Sequence, residues 1–297
     1  MHSPVFLIGT QRSGTTLLCK MLTAHPDVFI KNELPVRSVF RPGASKEQIK
    51  ERISFYIKER SGLDLESLLQ KEGKSIWGLK DPELTNYMDQ LELFLPEARF
   101  IIITRDARAV VNSYMKNMWG LVTNAYTGAL RWLDETNRQL EFEARNKDTV
   151  LRIRYEDLVM DQFSTLCKVC EFINIPYKAE MTEYGSRASF VKVSRENKKT
   201  FEALDPKMTS KWEKELTGKQ IRIVNGVCHS TLDKIGYPTS KEPLCLSRFD
   251  ATYYRLHQIV LGELQIQYRW RLGKYRRQFK KAISYFKDKC SRVGRRS

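Results

Sequence analysis

Apolar residues along this chain form short runs separated by amphipathic stretches. Runs at 4–9, 76–79, 99–104 and 149–154 read as strands, with Phe100-Ile101-Ile102-Ile103 patterned as a fully buried central one. Stretches at 15–24, 46–60, 85–93, 107–116, 125–146 and 162–174 repeat at helical spacing. Strand–helix alternation predicts an α/β fold in three layers, a central parallel sheet covered on both faces. Ligands of such sheets sit beyond the carboxyl ends of the strands. Gly9, Lys80 and Arg105 each fall just past such an end, so they are expected to converge.

Beyond residue 185 the pattern changes. Residues 186–212 are basic, polar and irregular (Lys192, Arg195, Lys198, Lys199) and read as a long loop or flap. Residues 220–235 read as a helix, closed by Gly236-Tyr237-Pro238. A loop over 238–247 leads to a tail in which Leu256, Val260, Leu264, Tyr268, Leu272, Tyr275, Phe279, Ile283 and Phe286 recur every three or four residues. That is one apolar face of one helix or two. The expected organisation is a main domain over 1–245 and a basic amphipathic helical extension over 246–297.

Charge sharpens this division. The 297 residues carry a net +16, and 41% are apolar, ample for a core. From residue 255 onward there are 13 Lys and Arg against Glu263 and Asp288, a net of 13 − 2 = +11. Two readings of the tail stand: a helix whose apolar face docks on the body with its basic face in solvent, or an amphipathic helix on an anionic membrane surface or partner. Nucleic acid is not expected, since no nucleic-acid fold accompanies the basic residues. A second copy of the chain is retained as a partner. No apolar run approaches a membrane span and no secretory leader is legible at the start, so a cytoplasmic protein, peripheral to a membrane at most, is expected. The six cysteines are scattered, with Cys167 and Cys170 the one close pair, so neither a metal nor a disulfide framework is expected.

The chemistry concentrates in Gly9-Thr10-Gln11-Arg12-Ser13-Gly14-Thr15-Thr16, between the first strand and the first helix. A glycine-bounded turn there lets backbone N–H groups close on an anion. A nucleoside-triphosphate loop would place lysine at position 15, and threonine stands there. The loop cation is Arg12 instead. A second motif, Thr104-Arg105-Asp106 leading to Ser113, follows the central strand. Arg105 can offer a phosphate two parallel hydrogen bonds, and Ser113 lies about two helical turns on.

Together the two motifs resemble the P-loop sulfotransferases that use 3′-phosphoadenosine 5′-phosphosulfate, in particular their tyrosylprotein sulfotransferase branch. The resemblance runs over roughly residues 4–240 and includes Ala24-His25-Pro26-Asp27-Val28. It implies that Arg12, Ser13, Gly14, Thr15 and Thr16 bind the 5′-phosphosulfate and that Arg105 and Ser113 bind the 3′-phosphate. It implies Glu33 as catalytic base, Lys80 as the transition-state lysine and Tyr155 as a donor contact. Ser194 and Lys211 are implied to close over the phosphosulfate. A further basic contact expected after Ser113 falls on Asn117, with Lys116 beside it.

The residues agree with that chemistry. Sulfuryl transfer needs in-line attack by a hydroxyl and stabilisation of charge on sulfuryl and bridging oxygens, which lysine, arginine and backbone N–H groups supply without a metal. Of the histidines, His25 precedes Pro26 at a helix end and reads as structural, so Glu33 is the better base. The competing readings are a magnesium-dependent kinase, disfavoured by Thr15, and a non-catalytic module bound to membrane through the tail. The acceptor stays open among carbohydrate, small-molecule and protein tyrosine hydroxyls.

Overall fold

A computed structural model describes residues 4–117, 120–184, 205–239 and 242–293, with side chains up to residue 273. Its strands are β1 (Val5–Ile8), β2 (Val28–Asn32), β3 (Ile76–Lys80), β4 (Arg99–Thr104) and β5 (Val150–Arg154). Among the described residues they form one sheet in the order β2-β3-β1-β4-β5, and every neighbouring pair is parallel.

The helices follow the chain as α1 (Thr15–Thr23), α2 (Val36–Val39), α3 (Lys46–Ser61), α4 (Leu65–Glu72), α5 (Met88–Phe94), α6 (Ala107–Asn117) and α7 (Ala125–Arg145). After β5 come α8 (Tyr155–Met160), α9 (Gln162–Phe172), α10 (Lys207–Ser210), α11 (Trp212–Glu215), α12 (Gly218–Lys234) and α13 (Arg248–Val293). Local signals set their ends. Ser45 and Gln48 form a capping box at the start of α3, and Thr217 and Gln220 form another at α12. Asn124 accepts from the Thr127 N–H to start α7.

The period-2 alternation of the strands divides the core. Phe6, Ile8, Phe100 and Ile102 face one layer with α3, α5 and Phe142 of α7. Val5, Leu7, Ile101 and Ile103 face the other, packed by α1, α8 and α9. Phe6 meets Trp77 edge-on and Phe100 at a tilt, so truncating it would cost roughly 3–5 kcal/mol. The α/β expectation holds on both faces of the sheet.

Three local expectations need correction. Residues 28–32 form a strand that the apolar pattern did not mark, since only Val28-Phe29-Ile30 are apolar and the pairing with β3 does the rest. The 85–93 helix starts as a 3-10 turn over Pro82–Tyr87, capped by Asp81, before α5 begins. The expected loop over 186–212 is helical in part of its described portion, at Lys207–Ser210.

The tail is a single long helix, and its docking reverses the simpler expectation. Polar groups meet the body: Gln258 donates to Gly120 O at 2.7 Å and Gln265 accepts from Gly120 N–H at 3.0 Å. Arg269 donates to Asn117 O at 2.5 Å, and Asn124 donates to Tyr254 O at 2.9 Å. The crossing is close because it runs through glycine: a Cβ on Gly262 would stand 2.8 Å from Gly120 O. Leu256, Val260, Leu264 and Tyr268 are exposed instead of docked.

Candidate functional site

Each strand delivers one residue of interest at its carboxyl end. The loop at Gly9 follows β1, Glu33 follows β2, Lys80 ends β3, Arg105 follows β4 and Tyr155 follows β5. The register aligns the ends, with Leu7 opposite Lys80, Asn32 opposite Lys80, Ile8 opposite Ile102 and Thr104 opposite Arg154. The convergence expected of Gly9, Lys80 and Arg105 is therefore built by the parallel sheet itself.

The loop is wound tightly. Arg12 and Gly14 both have left-handed backbone, φ 76° and 102°. Glycine is needed at 14 for a second reason: a Cβ there would stand 2.4 Å from the Tyr155 ring. Ser13 N–H donates to Thr10 O, which closes the turn before α1 starts at Thr15. The first N–H groups of α1 lack carbonyl partners inside the helix, and its dipole favours an anion in front of them. Ser13 is fully buried and its Oγ has no hydrogen-bond partner. A buried hydroxyl without a partner fits an oxygen-rich ligand seated in the loop.

The second motif touches the first. Arg12 Nε donates to Ser113 Oγ at 2.9 Å, and Arg105 Nη1 donates to Arg12 O at 3.2 Å. Arg105 also donates through Nη2 to Met208 O at 3.2 Å and stacks 4.1 Å over the Tyr155 ring. Its buried Nε has no partner. Trp132 fixes the backbone here by donating to Arg105 O at 3.0 Å. Thus Arg12, Arg105, Ser113 and Tyr155 form one basic, aromatic-backed corner.

On the other side of the loop, Lys80 Nζ and Glu33 Oε1 form an ion pair at 3.0 Å. The lysine is 1% exposed and the glutamate side chain 56% exposed, so a buried cation meets a carboxylate open to solvent. Glu33 carries a left-handed φ of 57°, and its N–H donates to Lys80 O at 2.8 Å. A non-glycine residue held there is a strained position of the kind that clusters at functional sites. Asp81 is buried beside the pair, and burial pushes its carboxyl up to about 6, against the Glu83 N–H bond and the Lys80 charge. A cleft of about 380 Å³ opens against Glu33, lined by Leu34, Pro35, Tyr56, Glu59 and Arg60. Burial, and then the nearby Arg60, push the Lys31 ammonium down.

Lys211 sits at the end of a latch that sequence reasoning missed. Glu215 accepts from Lys211 at 3.1 Å, from Lys116 at 2.5 Å and from Asn112 at 2.6 Å. Desolvation alone would raise its carboxyl, but these donors outweigh it and hold the group at about 2. Trp212, next to Lys211, lies under Arg108 at 4.4 Å, and Arg108 forms a buried ion pair with Asp106. Lys116, the cation beside the expected contact position at Asn117, is therefore engaged by Glu215. The i,i+4 spacing of Lys211 and Glu215 is a local signal for one arm of the latch, but the arms from Asn112 and Lys116 are not legible locally, since Asn112 and Glu215 stand 103 residues apart.

His25 is buried and structural, as its place before Pro26 implied. Its Nδ1 accepts from Asp27 N–H at 3.1 Å, which leaves Nε2 to donate to Pro176 O at 2.9 Å. Ser194 lies outside the described residues. Among the described residues, no group of three or more His, Cys, Asp or Glu is placed to hold a metal ion.

Comparison with known proteins adds a second line. The profile of the sulfotransferase family matches residues 4–179. The protein-tyrosine sulfotransferase of Drosophila melanogaster is 24% identical over 281 residues, covering 83% of this chain and 54% of that protein. This chain thus spans about half the length of that relative. Human protein-tyrosine sulfotransferase 1 is 29% identical over 296 residues, covering 88% of this chain and 77% of its own length. Among solved structures, the sulfotransferase domain from the curacin biosynthetic pathway superposes with a TM-score of 0.60 at 18% identity, covering 82% of this chain and 99% of that one. That likeness extends to the fold.

Proposed function

The chain belongs to the sulfotransferase family, and on that premise we propose that it moves a sulfuryl group from 3′-phosphoadenosine 5′-phosphosulfate to an acceptor hydroxyl. The observation that carries this reading is the delivery of Glu33, Lys80, Arg105, Tyr155 and the Gly9–Thr16 turn to one edge of the sheet, each from a different strand.

The turn takes the 5′-phosphosulfate: Ser13, Thr15 and Thr16 offer N–H and O–H donors, and Gly14 leaves room for the Tyr155 ring. Arg105 and Ser113 take the 3′-phosphate, with Arg12 bridging the two ends through its bond to Ser113. The unpartnered Arg105 Nε and Ser13 Oγ are donors suited to those oxygens. Lys211 closes over the phosphosulfate.

Glu33 takes the proton of the attacking hydroxyl as the oxygen–sulfur bond forms. Lys80 neutralises the bridging oxygen as the sulfur–oxygen bond to the phosphate breaks. In-line transfer places attacking and leaving oxygens on opposite sides of sulfur. The 3.0 Å pair must therefore open to admit the sulfuryl group. Glu33, exposed at a strand end, is the partner free to move; Lys80 is held by the core. The acceptor enters through the cleft of Leu34, Pro35 and Tyr56. The named relatives act on protein tyrosine, and an apolar, aromatic wall beside the base suits a phenol.

The test is sulfate transfer from labelled donor onto tyrosine peptides, glycans and small phenols, with thermal-shift titration by 3′-phosphoadenosine 5′-phosphate and by ATP–magnesium. Transfer to one acceptor class and stabilisation by the bisphosphate support the reading. Stabilisation by ATP–magnesium alone would overturn it.

A further inference from the structure

We propose that α13 is a membrane-docking helix that lays its outward apolar face on an anionic lipid surface. The inference does not rest on the transfer chemistry. It starts from the two faces of the helix. Tyr254, Gln258, Gly262, Gln265 and Arg269 recur at steps of four, four, three and four, and all meet the body. Phe249, Tyr253, Leu256, Val260, Leu264 and Tyr268 recur at steps of four, three, four, four and four on the other side. Each of these six is more than half exposed. A helix that docked for stability alone would turn this stripe inward. Here the polar face is used for docking, and the apolar stripe is left to solvent over about 28 Å of helix. An exposed apolar band of that length marks an interaction surface.

Charge selects the occupant. The stripe's own stretch is near neutral, Arg255 against Asp250 and Glu263, and the charge follows it along the tail: from Arg269 onward 12 Lys and Arg stand against Asp288, a net of 12 − 1 = +11. A second copy would set one such tail against another, and like charges oppose that pairing. A nucleic acid would answer the charge but not the Phe, Leu and Val stripe. A bilayer bearing anionic headgroups answers both: acyl chains take the stripe and headgroups take the lysines and arginines. Among the described residues no helix is long and apolar enough to cross a membrane, so the expected mode is in-plane and reversible. The helix crosses the body at Asn117, one turn past Ser113, so docking would hold the proposed donor site near the lipid surface.

The experiment is co-sedimentation of the full chain with vesicles of phosphatidylcholine alone and of phosphatidylcholine with phosphatidylglycerol, at low and high salt. Wild type should pellet with the anionic vesicles, pellet less at high salt, and stay in solution with the neutral ones. The double variant Leu256→Glu, Val260→Glu should lose on the order of tenfold or more in vesicle affinity with an unchanged melting curve. The milder pair Leu256→Ser, Val260→Ser should lose less and serves if the glutamates disturb folding. The proposal is overturned if wild type does not pellet with anionic vesicles, or if both variants bind as wild type does. Dimers in solution that either variant converts to monomers would assign the stripe to a second copy and overturn it equally.

Discussion

Replacing Arg105 by alanine should weaken both the fold and the binding of the donor nucleotide, and two measurements read them apart. The side chain donates two hydrogen bonds, to Arg12 O and Met208 O at 3.2 Å each, and stacks over Tyr155 at 4.1 Å. Charged hydrogen bonds and a partly desolvated cation–π contact together place the stability loss at about 2–4 kcal/mol, allowing for non-additivity. In a chain of this size that lowers the melting temperature by roughly 3–6 °C. The bound nucleotide loses a charged donor as well, worth about 1.5–3 kcal/mol, so its dissociation constant rises roughly 10- to 150-fold. Arg105→Lys keeps the charge and loses the fork, and should fall between. Calorimetric titration with 3′-phosphoadenosine 5′-phosphate, run below the lowered melting point, reads the affinity; circular dichroism reads the fold. A folded alanine variant that binds as tightly as wild type would remove Arg105 from the nucleotide site and refute the corner described above.

Two further outcomes follow from neighbouring groups. Glu215→Gln removes the carboxylate that gathers Lys116, Lys211 and Asn112. It should loosen α10 and α11, lower the melting temperature and weaken bisphosphate binding; unchanged affinity in the same titration would show that Lys211 does not serve the donor. Asp81 has a carboxyl raised from 3.8 to about 6 in the fold, so its contribution is fully present below pH 3.8 and is lost as pH rises through about 6. Asp81→Asn should therefore match wild type near pH 4 and exceed it at neutral pH, by up to about 3 kcal/mol, in denaturant titrations. A constant difference across that range would contradict the buried-carboxyl account.

The parts of the fold legible in the sequence are those set by local pattern. β1, β4 and the turn between β1 and α1 announce themselves through dense apolar runs broken by glycine, and Arg105 inherits its place from β4. β2 escaped notice because three apolar residues are too short a signal; its pairing with β3 is a long-range gain. The same strand fixes Glu33, which the pattern left in a loop and which only the family resemblance marked. Glu215 was illegible for the same reason, since its partners on α6 come near it through packing alone. The tail was half legible: the apolar repeat predicted a helix, but which face docks depends on Gly120, Gln258 and Gln265, and no periodicity contains that choice.

Everything proposed for catalysis turns on Glu33 receiving a proton that the donor site does not need. Glu33→Gln keeps an oxygen for Lys80 and removes the base. Labelled-donor turnover should fall by roughly 10²–10⁴, while 3′-phosphoadenosine 5′-phosphate binds within about twofold of wild type. Turnover close to wild type would show that the proton leaves by another route. A loss of nucleotide affinity as large as the loss of rate would move Glu33 out of the reaction and into the donor site.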